Sequence, residues 1–134
     1  MEPATTNRPR PDRRATRSIL IVDDNETVTK ALCVTLGNAG YAVTAFGTGL
    51  AALEHAAASP PDAAVIDIHL PDLNGLVLTQ RLRDLLGPDV PLIILSGDTS
   101  MQTINSLPHV GATYFFPKPV LGAQLIERLR EWVD

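Results

Sequence analysis

Four places in the 134-residue chain carry side chains that can do chemistry as a group: the acidic pair Asp23-Asp24, a third acid at Asp67, the hydroxyl of Ser96 and the ammonium of Lys118. Each follows a short apolar run, in the contexts ILIVDD, AAVID, LIILSG and YFFPKP. Gathered together, they are three carboxylates facing one cation. Two like charges ~4 Å apart repel by about 4 kcal/mol at an effective dielectric near 20. Three acids in one place therefore need more positive charge than Lys118 supplies. A divalent cation meets that need. An all-oxygen ligand set suits Mg2+, which keeps several waters and often binds phosphate as well. The group reads as a site able to hold Mg2+ and a phosphoryl group side by side. Singly, the same residues have plainer readings: Asp23-Asp24 as turn chemistry, Ser96 as a helix N-cap, Lys118 as a surface lysine.

The elements that must bring these residues together are strands that end in one place. Residues 18–22 form a continuous apolar run rich in β-branched side chains, as expected of a strand buried on both faces. Residues 25–39 set Val28, Ala31, Leu32, Thr35 and Leu36 at helical spacing, with Gly40 as a stop. A second strand is expected at 41–46 and an alanine-rich helix at 49–58, ended by Pro60-Pro61. A third strand falls at 63–67. A helix follows at 75–86, with Leu76, Leu82, Leu85 and Leu86 as its apolar stripe and Gly87-Pro88 closing it. The fourth strand covers 92–95 and the fifth 112–116. The last helix covers 122–133, with Leu125, Ile126, Leu129 and Trp132 on one side. A fourth helix should run from Met101 toward Val110. Pro108 interrupts it, because proline removes a helix hydrogen bond and clashes with the preceding turn, so the helix is expected to be short or broken near Leu107.

Strands and helices alternating in this way imply an α/β fold, a doubly wound five-stranded parallel sheet with helices on both faces and right-handed connections. In such sheets, ligands bind beyond the carboxyl ends of the strands. Asp23-Asp24, Asp67, Ser96 and Lys118 all lie at those expected ends.

Composition narrows the setting. One domain is expected at this length, large enough to bury a core without metal or disulfide. Cys33 is the one cysteine, which excludes a disulfide framework and suits a reducing, cytoplasmic setting. No apolar run approaches the ~20 residues of a membrane-spanning helix. The net charge of −4 is uneven. Residues 1–17 hold five arginines against two acids, +3, and read as a disordered Arg/Pro-rich tail; residues 18–134 hold six basic against thirteen acidic residues, −7. An acidic body argues against the folded domain gripping nucleic acid. Cys33 reads as inert core, His55 and His109 as surface residues without partners.

The segments ILIVDDN (19–25), DAAVIDIHLPDLNG (62–75), PLIILSG (91–97) and GATYFFPKP (111–119) resemble the signature stretches of response-regulator receiver domains, in order and over residues 18–134. The resemblance implies a flavodoxin-like sheet of strand order 2-1-3-4-5 and a two-component signalling role. It implies that Asp67 accepts a phosphoryl group from a histidine kinase or phosphotransfer protein. Asp23, Asp24, Asp67 and the backbone carbonyl of His69 would bind Mg2+. Ser96 would hydrogen-bond the phosphoryl group and Lys118 would pair with it. Ser96 and Phe115 would form the switch, although Tyr114 and Phe116 are adjacent aromatics and Phe115 reads equally as core. The Lys118-Pro119 bond matches one this family often holds in cis. His69 and Asp98 stand where the family tunes water access.

The expected behaviour is a phosphoacceptor signalling domain, not an enzyme acting on a separate substrate, that answers to a kinase and acts on a downstream protein. A homodimer is compatible with it. Alternatives are a phosphate sink or shuttle between histidine proteins, or the receiver part of a larger regulator. A hydrolase with an aspartyl-phosphate intermediate would want a second acid two residues after the nucleophile, where this chain has His69. A receiver that binds partners without phosphorylation would not need the full set of site residues.

Overall fold

The computed structural model describes residues 16–97 and 100–133. Among the described residues five strands and five α-helices alternate: Ser18–Val22 (β1), Glu26–Asn38 (α1), Ala42–Phe46 (β2), Gly49–Ala58 (α2), Ala63–Asp67 (β3), Gly75–Leu86 (α3), Leu92–Ser96 (β4), Met101–Ser106 (α4), Tyr114–Pro117 (β5) and Gly122–Trp132 (α5). All pairings are parallel, and the order across the sheet is β2-β1-β3-β4-β5. Residues 1–15, most of the Arg/Pro-rich segment, lie outside the described residues, as do Asp98, Thr99 and Asp134.

Strand side chains alternate between the two faces, so each strand feeds two cores. On one face Ile19, Ile21, Val65, Ile93, Leu95 and Phe116 pack under α1 and α5, through Leu32, Leu36, Leu125 and Leu129. On the other, Leu20, Val22, Ile66, Leu92 and Ile94 pack under α2 and α3, through Ala52, Ala56, Leu78 and Leu82. Full burial of each such side chain is worth roughly 1.5–3 kcal/mol. β3 and β4 are buried along their whole length, which explains their unbroken apolar sequence.

Helix starts are set by side-chain caps: Asn25 accepts from Thr27 and Val28 N–H, Thr48 from Ala51, Asn74 from Leu76 and Ser100 from Thr103. The fifth helix has Leu121 at this position and no side-chain cap.

One start differs from the sequence reading by more than a residue, and one expected break is present. β5 begins at Tyr114, not at residue 112, because Gly111 is left-handed (φ 82°) and the chain turns there. The fourth helix does break at Pro108: α4 is six residues long, and a 3-10 turn, Pro108–Val110, follows. No residue of α4 is buried. Among the described residues, no helix is long and apolar enough to cross a membrane.

Candidate functional site

The sheet register sets the site. Val22 pairs with Ile66, Asp67 with Leu95, Leu95 with Phe116 and Ser96 with Pro117. The next residue on β1 is Asp23, and the next on β5 is Lys118. Asp23, Asp67, Ser96 and Lys118 therefore stand together at the carboxyl ends of β1, β3, β4 and β5, with Asp23 level with Asp67, Ser96 one residue further along and Lys118 two. The β1–α1 connection adds Asp24.

Ligand oxygens of Asp23, Asp24 and Asp67 lie within 4.8 Å of one another. Asp23 and Asp67 are almost wholly buried, at 3% and 5% exposure, while Asp24 is open to solvent. Lys118 reaches in from the far side. Its Nζ is 2.9 Å from Asp23 Oδ2 and 3.4 Å from Asp67 Oδ2, so Asp23 holds it more closely. Asp23 also accepts from the Asn25 N–H through Oδ1 at 2.9 Å. That bond turns the chain into α1, and Thr29 Oγ1 donates to the Asp23 carbonyl at 3.2 Å.

The charges do not balance. Burial, and next the charge of Asp23, push the Asp67 carboxyl above its ordinary value, although Lys118 and the His69 N–H oppose this. For Lys118 burial works downward, yet the hydrogen bond and charge of Asp23, followed by Asp67, outweigh it and hold the ammonium above its usual range. The site is thus short of positive charge, with Lys118 firmly protonated. Three mutually close carboxylates, one open to solvent, fit a hard divalent cation bound through oxygen.

Around this centre, the sequence-named residues fall as follows. Ser96 is fully buried at the end of β4, and its carbonyl accepts from the Lys118 N–H at 2.9 Å. The cap of α4 is Ser100, so the helix-cap reading of Ser96 does not hold. His69 is exposed; its backbone N–H favours the ionised Asp67 carboxylate, and it bridges to Asn74 across the β3–α3 loop. Lys118-Pro119 is a cis peptide. Of the three neighbouring aromatics, Phe115 alone packs on the α2/α3 face; there it lines a groove with Ile104 and Leu107. Tyr114 and Phe116 turn to the opposite face, their rings 4.9 Å apart. His55, expected to be without partners, lies against Phe46 at 5.1 Å between rings and within 3.4 Å of Thr44 Oγ1.

Sequence reasoning missed what holds the β3–α3 loop. Gly75 donates to the Ile68 carbonyl at 2.7 Å, and a Cβ there would sit 2.2 Å from the Asp67 carbonyl oxygen. Asn74, directly before Gly75 and an apolar run, carried an N-cap signal that would have marked this helix start. Asp72 binds the start of α2, a contact with no local sequence signal.

The model of the response regulator receiver domain matches residues 19–130. The chain belongs to the response regulator receiver domain family. This receiver domain is 38% identical over 113 residues to the transcriptional regulatory protein CseB of Streptomyces coelicolor, covering 84% of this chain and 47% of that protein. The chain thus spans about half the length of the curated relatives it matches. In structure it resembles the CheY-like response regulator receiver domain protein of Methanospirillum hungatei JF-1, with a TM-score of 0.85 and 28% identity over 90% of this chain and 95% of that one. It also resembles the receiver domain of the sensor histidine kinase PA1611 of Pseudomonas aeruginosa PAO1, solved with a magnesium ion coordinated in its active-site cleft. That match has a TM-score of 0.80 and 29% identity over 89% of this chain and 98% of the other. The fold, five parallel strands in the order 2-1-3-4-5 with helices on both faces, is the receiver fold expected from the sequence.

Proposed function

We propose that this receiver is a cytoplasmic phosphorylation switch in which Asp67 accepts a phosphoryl group from a histidine kinase or phosphotransfer protein. The observation that carries the reading is the buried Asp67 carboxylate between Asp23 and Asp24 on one side and Lys118, at 3.4 Å, on the other. Asp23, Asp24 and Asp67 would hold Mg2+, with the His69 carbonyl as a further ligand; the magnesium in the similar PA1611 receiver supports that assignment. When bound, the cation would supply the positive charge that the three carboxylates lack.

The residues of this chain have separate tasks. An Asp67 oxygen forms the bond to phosphorus as the bond to the donor histidine nitrogen breaks, and that nitrogen keeps the electron pair. Lys118, held protonated by Asp23, faces the charge gathering on the phosphoryl oxygens. Positioning and charge neutralisation make up nearly all the catalysis this chemistry needs. The product places about −1.5 to −2 charges at the end of β3, by analogy with other phosphorylated side chains. Ser96, one residue beyond Asp67's partner on β4, would turn its hydroxyl toward the new oxygens. Phe115, on the face beside α4, would follow into the space and alter the surface formed by α4, β5 and α5. Such a change shifts the population between two packings, which a kinase-side partner writes and a downstream protein reads. Water attack on the acyl phosphate resets the domain.

The test is intact mass after incubation with Mg2+ and acetyl phosphate. A phosphoryl adduct is expected on wild-type protein and not on Asp67→Asn. Adduct formation on both variants would move the acceptor elsewhere. No adduct on either, with a cognate kinase also present, would leave a constitutive binding module.

A further inference from the structure

The β3–α3 loop and the start of α2 are joined by one carboxylate. Asp72 Oδ1 accepts from the Gly49 N–H at 2.9 Å, and Asp72 Oδ2 accepts from the Leu50 N–H at 3.0 Å. These are the first two amides of α2, which have no partner within their own helix. A carboxylate is favoured there by the helix dipole. The helix already has a local cap, since Thr48 Oγ1 accepts from the Ala51 N–H. Asp72, more than twenty residues away, is a second clamp whose other end is a loop. Leu73 adds to it by packing on Gly49, where a Cβ would lie 2.9 Å from Leu73 Cδ2.

The two clamped segments flank the acid cluster. On one side, Asp72 lies three residues beyond His69, whose N–H favours the Asp67 carboxylate, in a loop closed by the His69–Asn74 bridge. On the other, α2 is entered from β2 through Gly47, whose Cβ position is 3.8 Å from the Asp24 Cα. The last residue of β2, Phe46, accepts from the Asp23 N–H at 3.1 Å. Asp72 therefore ties the backbone carrying Asp67 and His69 to the backbone lying against Asp23 and Asp24.

We propose that Asp72 is a positioning residue for the cation: its paired hydrogen bonds to Gly49 and Leu50 fix the β3–α3 loop relative to the Asp23-Asp24 segment, and so set the affinity for Mg2+. The proposal rests on the Mg2+ reading of the acid cluster. It places a determinant of metal affinity on an exposed side chain that is not itself a ligand.

The test compares Mg2+ binding by calorimetry in wild type, Asp72→Ala and Arg83→Lys, with a thermal melt of each. Arg83, on α3, donates to the Gly87, Val90 and Gly111 carbonyls at the opposite end of the sheet, so Arg83→Lys controls for loss of stability alone. Asp72→Ala is expected to weaken Mg2+ binding at least threefold, while Arg83→Lys binds as wild type despite melting earlier. Asp72→Asn keeps the side-chain shape and one acceptor oxygen, and replaces alanine should that variant not fold. Equal Mg2+ affinity in wild type and the Asp72 variant overturns this proposal alone. So does an equal loss in both variants, which would make the effect one of general stability. Wild-type protein that takes up no Mg2+ overturns the metal reading and this proposal together.

Discussion

At Asp67 the folded protein holds a proton more tightly than the unfolded chain does, because burial and then Asp23 raise its carboxyl. Such a group contributes most to stability below its unfolded value, and that contribution is lost as pH rises through the folded value. At neutral pH, without divalent cations, the ionised Asp67 is therefore a burden on the fold. Asp67→Asn should melt above wild type at pH 7 in chelator, by about 1 kcal/mol, a typical single-residue effect. The gain should shrink as pH falls toward about 4, the ordinary aspartate range. Paired melts at the two pH values check this, and a variant no more stable at pH 7 would mean Lys118 already balances the site. Lys118→Gln should act in the opposite direction. It leaves Asp23 and Asp67 buried without their cation, and removing one partner of such a group is destabilising. Because the Lys118 side chain is 25% exposed, the loss should be moderate, roughly 1–3 kcal/mol. Urea unfolding in chelator measures it, and added Mg2+ should restore part of it.

Among the elements, one side chain organises the end of the sheet away from the site. Arg83, on α3, donates through Nε and Nη2 to the Gly111 carbonyl, through Nη1 to the Gly87 and Val90 carbonyls, and through Nη2 to Thr113 Oγ1. It thereby ties the α3–β4 turn to the turn that enters β5. Lysine offers a point charge without the planar fork, so Arg83→Lys should cost about 2 kcal/mol in urea unfolding yet leave phosphorylation by acetyl phosphate unchanged. A parallel loss of phosphorylation would show that the two ends of the sheet are coupled. Contacts of this kind mark the limit of what the sequence discloses. β3 and β4 were legible to the residue at most of their ends, because burial on both faces forces an unbroken apolar run that turn-forming residues then close. The site was legible for the same reason: a parallel sheet brings strand ends together whatever the loops do. The start of β5 was not, because Ala112 and Thr113 fit a strand and only the left-handed Gly111 delays it. Asp72 was invisible because its partners lie more than twenty residues away, and Arg83 because it joins nearby carbonyls to that of Gly111, 28 residues on; a backbone N–H or C=O carries no residue-type signature.

For the whole molecule, charge at one end of the sheet is linked to the stability of the entire fold. The acid cluster is assembled from β1, β3 and their following loops, whose residues are far apart in the unfolded chain. An ion that binds only the assembled site stabilises the native state by RT ln(1 + [L]/Kd). Above Kd, each tenfold rise in Mg2+ should then add about 1.4 kcal/mol to the unfolding free energy. The melting temperature should climb with the logarithm of Mg2+ concentration and flatten below Kd. Asp24 is the exposed member of the cluster, so it contributes little to folding in the absence of metal. Asp24→Asn should therefore melt like wild type in chelator but lose most of the Mg2+-dependent rise. This pairing separates a metal site from simple screening, because monovalent salt weakens repulsion at every exposed acid and would raise both proteins alike. A Mg2+ series matched by NaCl at equal ionic strength distinguishes the two. If NaCl reproduces the rise, or if Asp24→Asn keeps it, the stabilisation is general screening of an acidic surface and not an ion held by Asp23, Asp24 and Asp67.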